Sequence, residues 1–169
     1  MRPQQATKRQ LRRKPDLEDR YSDPVEARKK AMDYLARREH GRGELLAKLE
    51  KAGFDPDISE NAVAQLVEDG LQSDTRFVEA FVSSRISQGK GPVRIRAELR
   101  EHGVTGSLID EALANAGQDW YALAREVRLK KFGAGKPRDF KEKARQMRFL
   151  QSRGFDTDQI QAAVSANPE

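Results

Sequence analysis

Few side chains in this sequence could do covalent or metal chemistry. Its 169 residues include no cysteine and two histidines, His40 and His102, which excludes disulfides, thiolate nucleophiles, haem attachment and any Cys/His zinc site. Each histidine directly precedes a glycine, where a cationic ring suits the negative end of a helix, so both are expected to cap or to face solvent. The Asp55-x-Asp57 pair lacks the rest of a calcium-loop pattern, and Pro56 between the two aspartates marks a helix start instead. Three G-x-G turns, Gly41-Arg42-Gly43, Gly89-Lys90-Gly91 and Gly133-Ala134-Gly135, follow no strand. They have neither a G-x-x-G extension nor a Walker lysine, so they read as turns and not as phosphate cradles. With no nucleophile, base and orienting group falling together, the chain is expected to be a non-enzymatic protein without cofactor or metal.

Charge is abundant. Lys and Arg outnumber Asp and Glu by 32 to 27, giving a net +5 and a pI near 9.6, a balance that favours an acidic partner such as nucleic acid or an acidic protein surface. The excess is uneven. Residues 120–153 carry eleven basic side chains against three acidic ones, a density that repels itself unless something anionic lies opposite. A second concentration lies in residues 1–22, where Arg2, Lys8, Arg9, Arg12, Arg13, Lys14 and Arg20 have few apolar anchors and predict a mobile basic arm. No apolar run approaches the roughly 18–20 residues needed to cross a bilayer, and the first fifteen residues hold no signal-peptide core. A cytoplasmic setting is expected.

The elements that position these charges are helical and repeat. Asp23-Pro24-Val25-Glu26 starts the first helix, with an aspartate N-cap, a proline in the first turn and a returning glutamate. Leu49, Leu99 and Leu150 each stand four residues before a glycine, Gly53, Gly103 and Gly154, and an apolar residue follows each glycine, the chemistry of a left-handed C-cap. Asp55-Pro56, Thr105 to Ser107, and Asp156 with Gln159 then restart the chain. Apolar residues step with helical period in Ile58, Ala62, Val63 and Leu66, in Phe77, Val78, Phe81 and Val82, and in Leu108, Ile109, Ala112 and Leu113. No segment alternates with period two. The expectation is an all-α chain of three tandem three-helix units, over residues 23–73, 74–117 and 118–169, stacked into an elongated, curved array. Phe77, Phe81, Trp120, Tyr121 and Phe140 lie on apolar stripes and are expected in the core.

The order and spacing of these signals resemble those of the RecX family, regulators of the bacterial RecA recombinase. The first unit contributes Tyr34-Leu35-Ala36-Arg37-Arg38-Glu39-His40, Glu44-Leu45, Leu49 and Gly53-Phe54. The second contributes Asp74-x-Arg76-Phe77, Arg85, Gly89-x-Gly91-Pro92, Arg94-Ile95-Arg96-x-Glu98-Leu99 and Gly103-Val104, and the third Trp120, Lys131-Phe132, Lys143, Arg148-Phe149-Leu150 and Arg153-Gly154-Phe155. The resemblance covers nearly all of the chain beyond residue 24. It implies a monomeric, non-enzymatic modulator that docks into the groove of the RecA–DNA filament and damps ATP hydrolysis, strand exchange and filament growth, within recombination, DNA repair and the SOS response. Members of the family often carry Ser where Gly41 stands, so the second helix should be more weakly capped here, by a few tenths of a kcal/mol.

On this reading the contacts to RecA, and to single- or double-stranded DNA within the filament, are expected from Arg37, Arg38, Arg42, Arg85, Lys90, Arg94, Arg96, Arg128, Lys131, Arg145 and Arg148, through two-pronged bonds to carboxylates or phosphates. The alternative is a helical DNA-binding module that acts on nucleic acid directly, motivated by the basic arm and the third unit. No membrane partner is expected.

Overall fold

The structure is a computed structural model that describes residues 17–165. All its elements are α-helices: α1 (Leu17–Tyr21), α2 (Pro24–Arg37), α3 (Arg42–Lys51), α4 (Pro56–Glu68), α5 (Asp74–Ser87), α6 (Pro92–Glu101), α7 (Gly106–Asn115), α8 (Trp120–Phe132), α9 (Phe140–Ser152) and α10 (Thr157–Ser165). No strand occurs among the described residues. Helices α2–α4, α5–α7 and α8–α10 form three units, and the extensive helix packing lies within units.

Each unit has its own small core. The first closes on Ala27, Ala31, Leu45, Leu49, Val63 and Leu66, the second on Phe77, Val78, Ile95, Leu99 and Ile109, and the third on Leu123, Ala124, Leu150, Ile160 and Val164. Burial of each larger side chain stabilises by about 1.5–3 kcal/mol, yet so few per unit leave the units dependent on their neighbours. Ile86 and Trp120 pack against the second and third cores together.

The helix boundaries follow from cap chemistry. The first helix of every unit is capped by a side chain: Asp23 accepts from the Val25 amide at 2.9 Å, Ser73 from Arg76 at 3.3 Å and Asp119 from Ala122 at 3.0 Å. The second helices end at Gly53, Gly103 and Gly154 with φ of 106°, 76° and 92°. There the amides of Phe54, Val104 and Phe155 reach back to the carbonyls of Leu49, Leu99 and Leu150 at 3.1, 3.1 and 3.3 Å, which is the Schellman pattern. The helix start at α10 is a reciprocal box, Gln159 amide to Asp156 at 2.8 Å and Asp156 amide to Gln159 at 3.0 Å, whereas Asp55 and Thr105 make no side-chain cap bond.

The units join at the starts of α3 and α6, whose N-cap glycines, Gly41 and Gly91, carry no capping side chain. The next unit supplies the acceptors. Asp74, from the first turn of α5, accepts the Arg42 amide at 2.8 Å. Arg153 and Gly154, from the end of α9, accept the Gly91 and Val93 amides at 2.8 and 2.9 Å. Gln72 braces the first joint through its side-chain amide, which donates to the His40 carbonyl at 3.2 Å and to Asp74 at 2.9 Å. In α9, which meets no later unit among the described residues, Asp139 caps the helix itself, accepting from the Glu142 amide at 2.8 Å.

Three features differ from the sequence expectation. Of the arm, residues 17–21 form α1, whose Tyr21 ring packs on Phe54 and whose carbonyl accepts the Asp55 amide at 3.3 Å; residues 1–16 lie outside the described residues. The third G-x-G does not open a helix: α8 ends at Gly133 with φ 81°, and α9 waits for the Asp139 cap. Phe140 is 85% exposed and Tyr121 43%, so neither is a core residue; in the first turn of α8 it is the neighbouring Trp120 that faces inward, against the second and third cores.

At Gly91 a Cβ would stand 2.4 Å from the Gly154 carbonyl oxygen, whereas at Gly43 it would meet open space. Gly91→Ala should therefore lower urea-unfolding stability by about 1–3 kcal/mol. Gly43→Ala, inside α3, should raise it by up to about 1 kcal/mol. Equal effects of the two would contradict the backbone-to-backbone joint.

Candidate partner-binding surface

The second helix of each unit presents one i,i+4 pair, nine and five residues before its cap glycine: Glu44 with Lys48, Arg94 with Glu98, and Arg145 with Phe149. In the first two units a carboxylate occupies one place of the pair and gathers cations. In the third an aromatic ring stands instead.

In the first unit Glu44 forms an ion pair with Arg38 and lies 3.9 Å from Lys48. Burial pushes the Glu44 pKa up, but the Arg38 hydrogen bond and the charges of Arg38 and Lys48 outweigh it and hold the carboxyl below its ordinary value. Arg42 pairs with Glu60 at 3.3 Å, and Arg37 is exposed. His40 is buried, with Nδ1 3.0 Å from the Arg38 carbonyl and Nε2 2.8 Å from the Lys48 ammonium. A carbonyl on one nitrogen and a donor on the other fix the neutral Nδ1–H tautomer. Burial pushes its pKa down, opposed by the bond to Arg38. The ring thus does sit at a helix end, on the carbonyl of Arg38, the C-cap of α2, but as a buried neutral group where a cation was expected, and Gly41 after it begins α3 and ends no helix.

In the second unit Glu98 is the hub. Arg85 Nε lies at 2.7 Å, Arg94 Nε at 3.2 Å and Lys90 Nζ at 3.3 Å from its oxygens. Burial pushes its pKa up, but the hydrogen bonds from Arg85, Arg94 and Lys90, with the Lys90 charge, bring it down to about 2. Arg94 also donates to the Ser152 carbonyl at 3.2 Å across the joint, Arg85 lies over the Phe81 ring at 4.1 Å, and Arg96 pairs with Asp110.

The third unit lacks such neutralisation. Phe132 and Phe149 meet edge to face, their centroids 5.4 Å apart. Arg145 lies 5.6 Å from the Phe132 centroid, and Lys131 and Arg153 lie 5.6 and 5.2 Å from that of Phe149, within the range of cation–π attraction. None of these three cations has a carboxylate partner among the described residues, and neither has exposed Arg148. The structure thus brings Lys131 and Arg145 together, and separately Arg85, Lys90 and Arg94.

Arg128 requires a correction. It is 4% exposed, with Nε donating to Gln146 Oε1 at 2.8 Å and an Nη donating to the Gly135 carbonyl at 2.7 Å. It belongs to the core and cannot meet a partner at the surface. It replaces an apolar residue of the other first helices, and Gln146 takes the place held by Leu45 and Ile95. Glu44, Glu98, Phe132 and Phe149 are the side chains around which these cations gather and which a search for cations overlooks; the i,i+4 spacing of Glu44–Lys48 and Arg94–Glu98 is the signal that could have found the two carboxylates.

Among the described residues no group of acidic or histidine side chains could hold a metal ion, and no helix is long and apolar enough to cross a membrane. Family models match the chain three times, as the first three-helix domain of RecX over residues 27–66, the second over 73–113 and the third over 118–164. The chain belongs to the RecX family. Two relatives, each named "Regulatory protein RecX", come from Halorhodospira halophila, 50% identical over 139 residues (82% of this chain, 86% of the relative), and from Pseudomonas savastanoi pv. phaseolicola, 46% identical over 142 residues (84% and 92%). Two RecX crystal structures share the fold: one at TM-score 0.70 and 22% identity, covering 83% of this chain and 70% of its own, and one from Lactobacillus salivarius at TM-score 0.69 and 19% identity, covering 88% and 96%. The three family domains correspond to the units α2–α4, α5–α7 and α8–α10.

Two outcomes follow for stability. Gln146→Leu alone strips Arg128 of an acceptor and should cost about 3–5 kcal/mol in urea unfolding, whereas adding Arg128→Met should recover most of the loss. The Glu98 pKa is depressed, so its contribution is complete above the unfolded value near 4.5 and is lost as pH falls toward about 2. Glu98→Gln should flatten that acid limb by about 1–2 kcal/mol, well below the full linkage value because solvent reaches the cluster. An unchanged limb would show that the hub does not form.

Proposed function

We propose that this chain regulates RecA without catalysis, by lying along the groove of a RecA–DNA filament and lowering ATP hydrolysis, strand exchange and filament extension. The observation that carries this reading is the cationic face of the third unit, where Lys131, Arg145 and Arg153 rest on aromatic rings with no carboxylate among the described residues to neutralise them. Its relatives are regulatory proteins by name, and a filament of protein and nucleic acid offers both carboxylates and phosphates for guanidinium groups to grip.

The contacts we assign first are Lys131, Arg145 and Arg148, with Arg37, all exposed and without a carboxylate partner. Arg38, Arg42, Arg85, Lys90, Arg94 and Arg96 each have an internal carboxylate. They serve as oriented donors whose remaining N–H groups meet the filament, at the cost of loosening an existing pair. Three linked units can engage successive filament subunits, so a single cytoplasmic monomer gains a slow off-rate through multivalency.

The alternative, a module that acts on DNA directly, is favoured by the same unneutralised face. About six phosphate contacts would cost roughly a thousandfold in affinity between about 50 and 200 mM salt. Tight, steeply salt-dependent binding to naked DNA with RecA ignored would establish it.

The deciding measurement is ATP turnover by RecA preassembled on single-stranded DNA. Turnover should fall as the chain is added. The double charge reversal Lys131→Glu with Arg145→Glu should raise the half-inhibitory concentration by about tenfold or more, equivalent to ~1.4 kcal/mol. Arg42→Glu should act less, since Glu60 already offsets that charge. Unchanged turnover at excess chain would overturn the proposal.

A further inference from the structure

Helix α9 has a second, apolar stripe, exposed at Phe140 and half-buried at Ala144 and Met147, which the aromatic–cation face does not use. Phe140, Ala144 and Met147 follow one another at helical spacing and, with Ile160 of α10 and Val93 of α6, line an open groove of about 710 Å³ at the joint of the second and third units. Phe140 is 85% exposed and Val93 53%. A phenyl ring and a valine left in water beside a preformed apolar cleft are what a hydrophobic anchor of another molecule would cover.

The flanking charges say what kind of molecule. Lys143 and Arg148 line the groove and have no carboxylate partner among the described residues. The one acidic side chain that lines it, Asp156, is already taken up as the α10 N-cap, accepting the Gln159 amide at 2.8 Å. The groove is therefore apolar in its floor and cationic at its edge. A second copy of this chain fits poorly, because it would bring another strongly basic third unit, eleven basic side chains against three acidic in residues 120–153, against the first. Nucleic acid fits poorly as well, since phosphates would leave the aliphatic floor uncovered.

We propose that this groove is a docking seat for an acidic protein segment, a helix whose leucine or phenylalanine side chains at i, i+3/i+4 and i+7 enter the cleft while flanking Glu and Asp meet Lys143 and Arg148. The mode is helix-in-groove recognition with charge complementarity at the rim. It is a site distinct from the ring stack of Phe132 and Phe149 and does not depend on RecA being the partner.

The test uses the full chain and three fluorescein-labelled fifteen-residue peptides, read by fluorescence anisotropy. One is Glu-rich with leucines at i, i+4 and i+7. The second has the same composition with the leucines distributed around the helix, and the third has Lys in place of Glu. The patterned acidic peptide should bind about tenfold or more tightly than either control. Phe140→Ala and Arg148→Glu should each weaken it about fivefold or more, as expected of an anchor and a rim charge. Phe140 is so exposed that its removal should leave the circular dichroism spectrum unchanged. Equal binding of the patterned and scrambled acidic peptides would reduce the site to general electrostatics and overturn the proposal, as would no binding. Concentration-dependent self-association in sedimentation that Phe140→Ala abolishes would give the groove to a second copy and overturn it too.

Discussion

The architecture depends on where the first amides of α3 and α6 find acceptors. An α-helix leaves its leading N–H groups unsatisfied, and a serine, threonine or aspartate at the N-cap normally answers one of them. Here both helices begin on glycine, and the answer comes from the following unit: the Asp74 carboxylate for Arg42, and the carbonyls of Arg153 and Gly154 for Gly91 and Val93. The missing cap is thus what makes one unit need the next. The absence of a Cβ at Gly91 lets the two backbones approach closely enough for the bonds to form. Without a later unit against it among the described residues, α9 carries its own aspartate cap. In the first unit α1 lays Tyr21 over the Gly53–Phe54 turn.

The same register explains the electrostatics. The i,i+4 pair on the second helix runs Glu44–Lys48, Arg94–Glu98, Arg145–Phe149. The carboxylate changes place between the first and second units and vanishes in the third. A carboxylate among three cations is stabilised in its charged form and in turn holds the cations inward, as the depressed Glu98 pKa records. A ring at that place attracts cations through its face without cancelling their charge. The positive charge around this pair is accordingly offset internally in the first two units and left available in the third. Net charge summed along the sequence locates the excess, but only the pairing separates charge that is free from charge that is satisfied.

The sequence makes the fold largely legible because the fold is written in local chemistry. Asp23, Gly53, Gly103, Gly154 and the Asp156–Gln159 box act within one helical turn of themselves, so their spacing alone counts the units. The site is less legible because its logic is tertiary. Arg128 reads as one more surface cation until Gln146 is seen to replace an aliphatic residue opposite it, and the two substitutions make sense only together. His40 reads as a cationic C-cap because it precedes a glycine; the ring does meet the C-cap carbonyl of α2, that of Arg38, but as a buried neutral group against Lys48, and the glycine after it begins a helix. Phe140 carries the hydrophobicity of a core residue, yet as the first residue of α9 it stands 85% exposed.

The two joints differ in kind, which bears on how the charged surfaces are held relative to one another. Between the first and second units the link runs through side chains: Asp74, Gln72, and Arg76 with Glu39 at 3.1 Å. Each of these has rotatable bonds, and those that end on the Asp74 or Glu39 carboxylate can be weakened by competing ions or by protonation. Between the second and third units the link runs backbone to backbone, over Gly91 and Gly154, with Ile86 and Trp120 shared between the two cores. Neither a change of salt nor of pH removes an amide-to-carbonyl bond, so the Glu98 hub and the Phe132–Phe149 stack keep a fixed relation, and the Arg94 guanidinium, which touches both Glu98 and Ser152, reports on it directly. Recognition of an extended partner needs such fixed spacing over at least two contact points, since freedom between them would have to be frozen out on binding. The stiffer joint lies next to the free cations, and the adjustable one lies next to cations that are already paired.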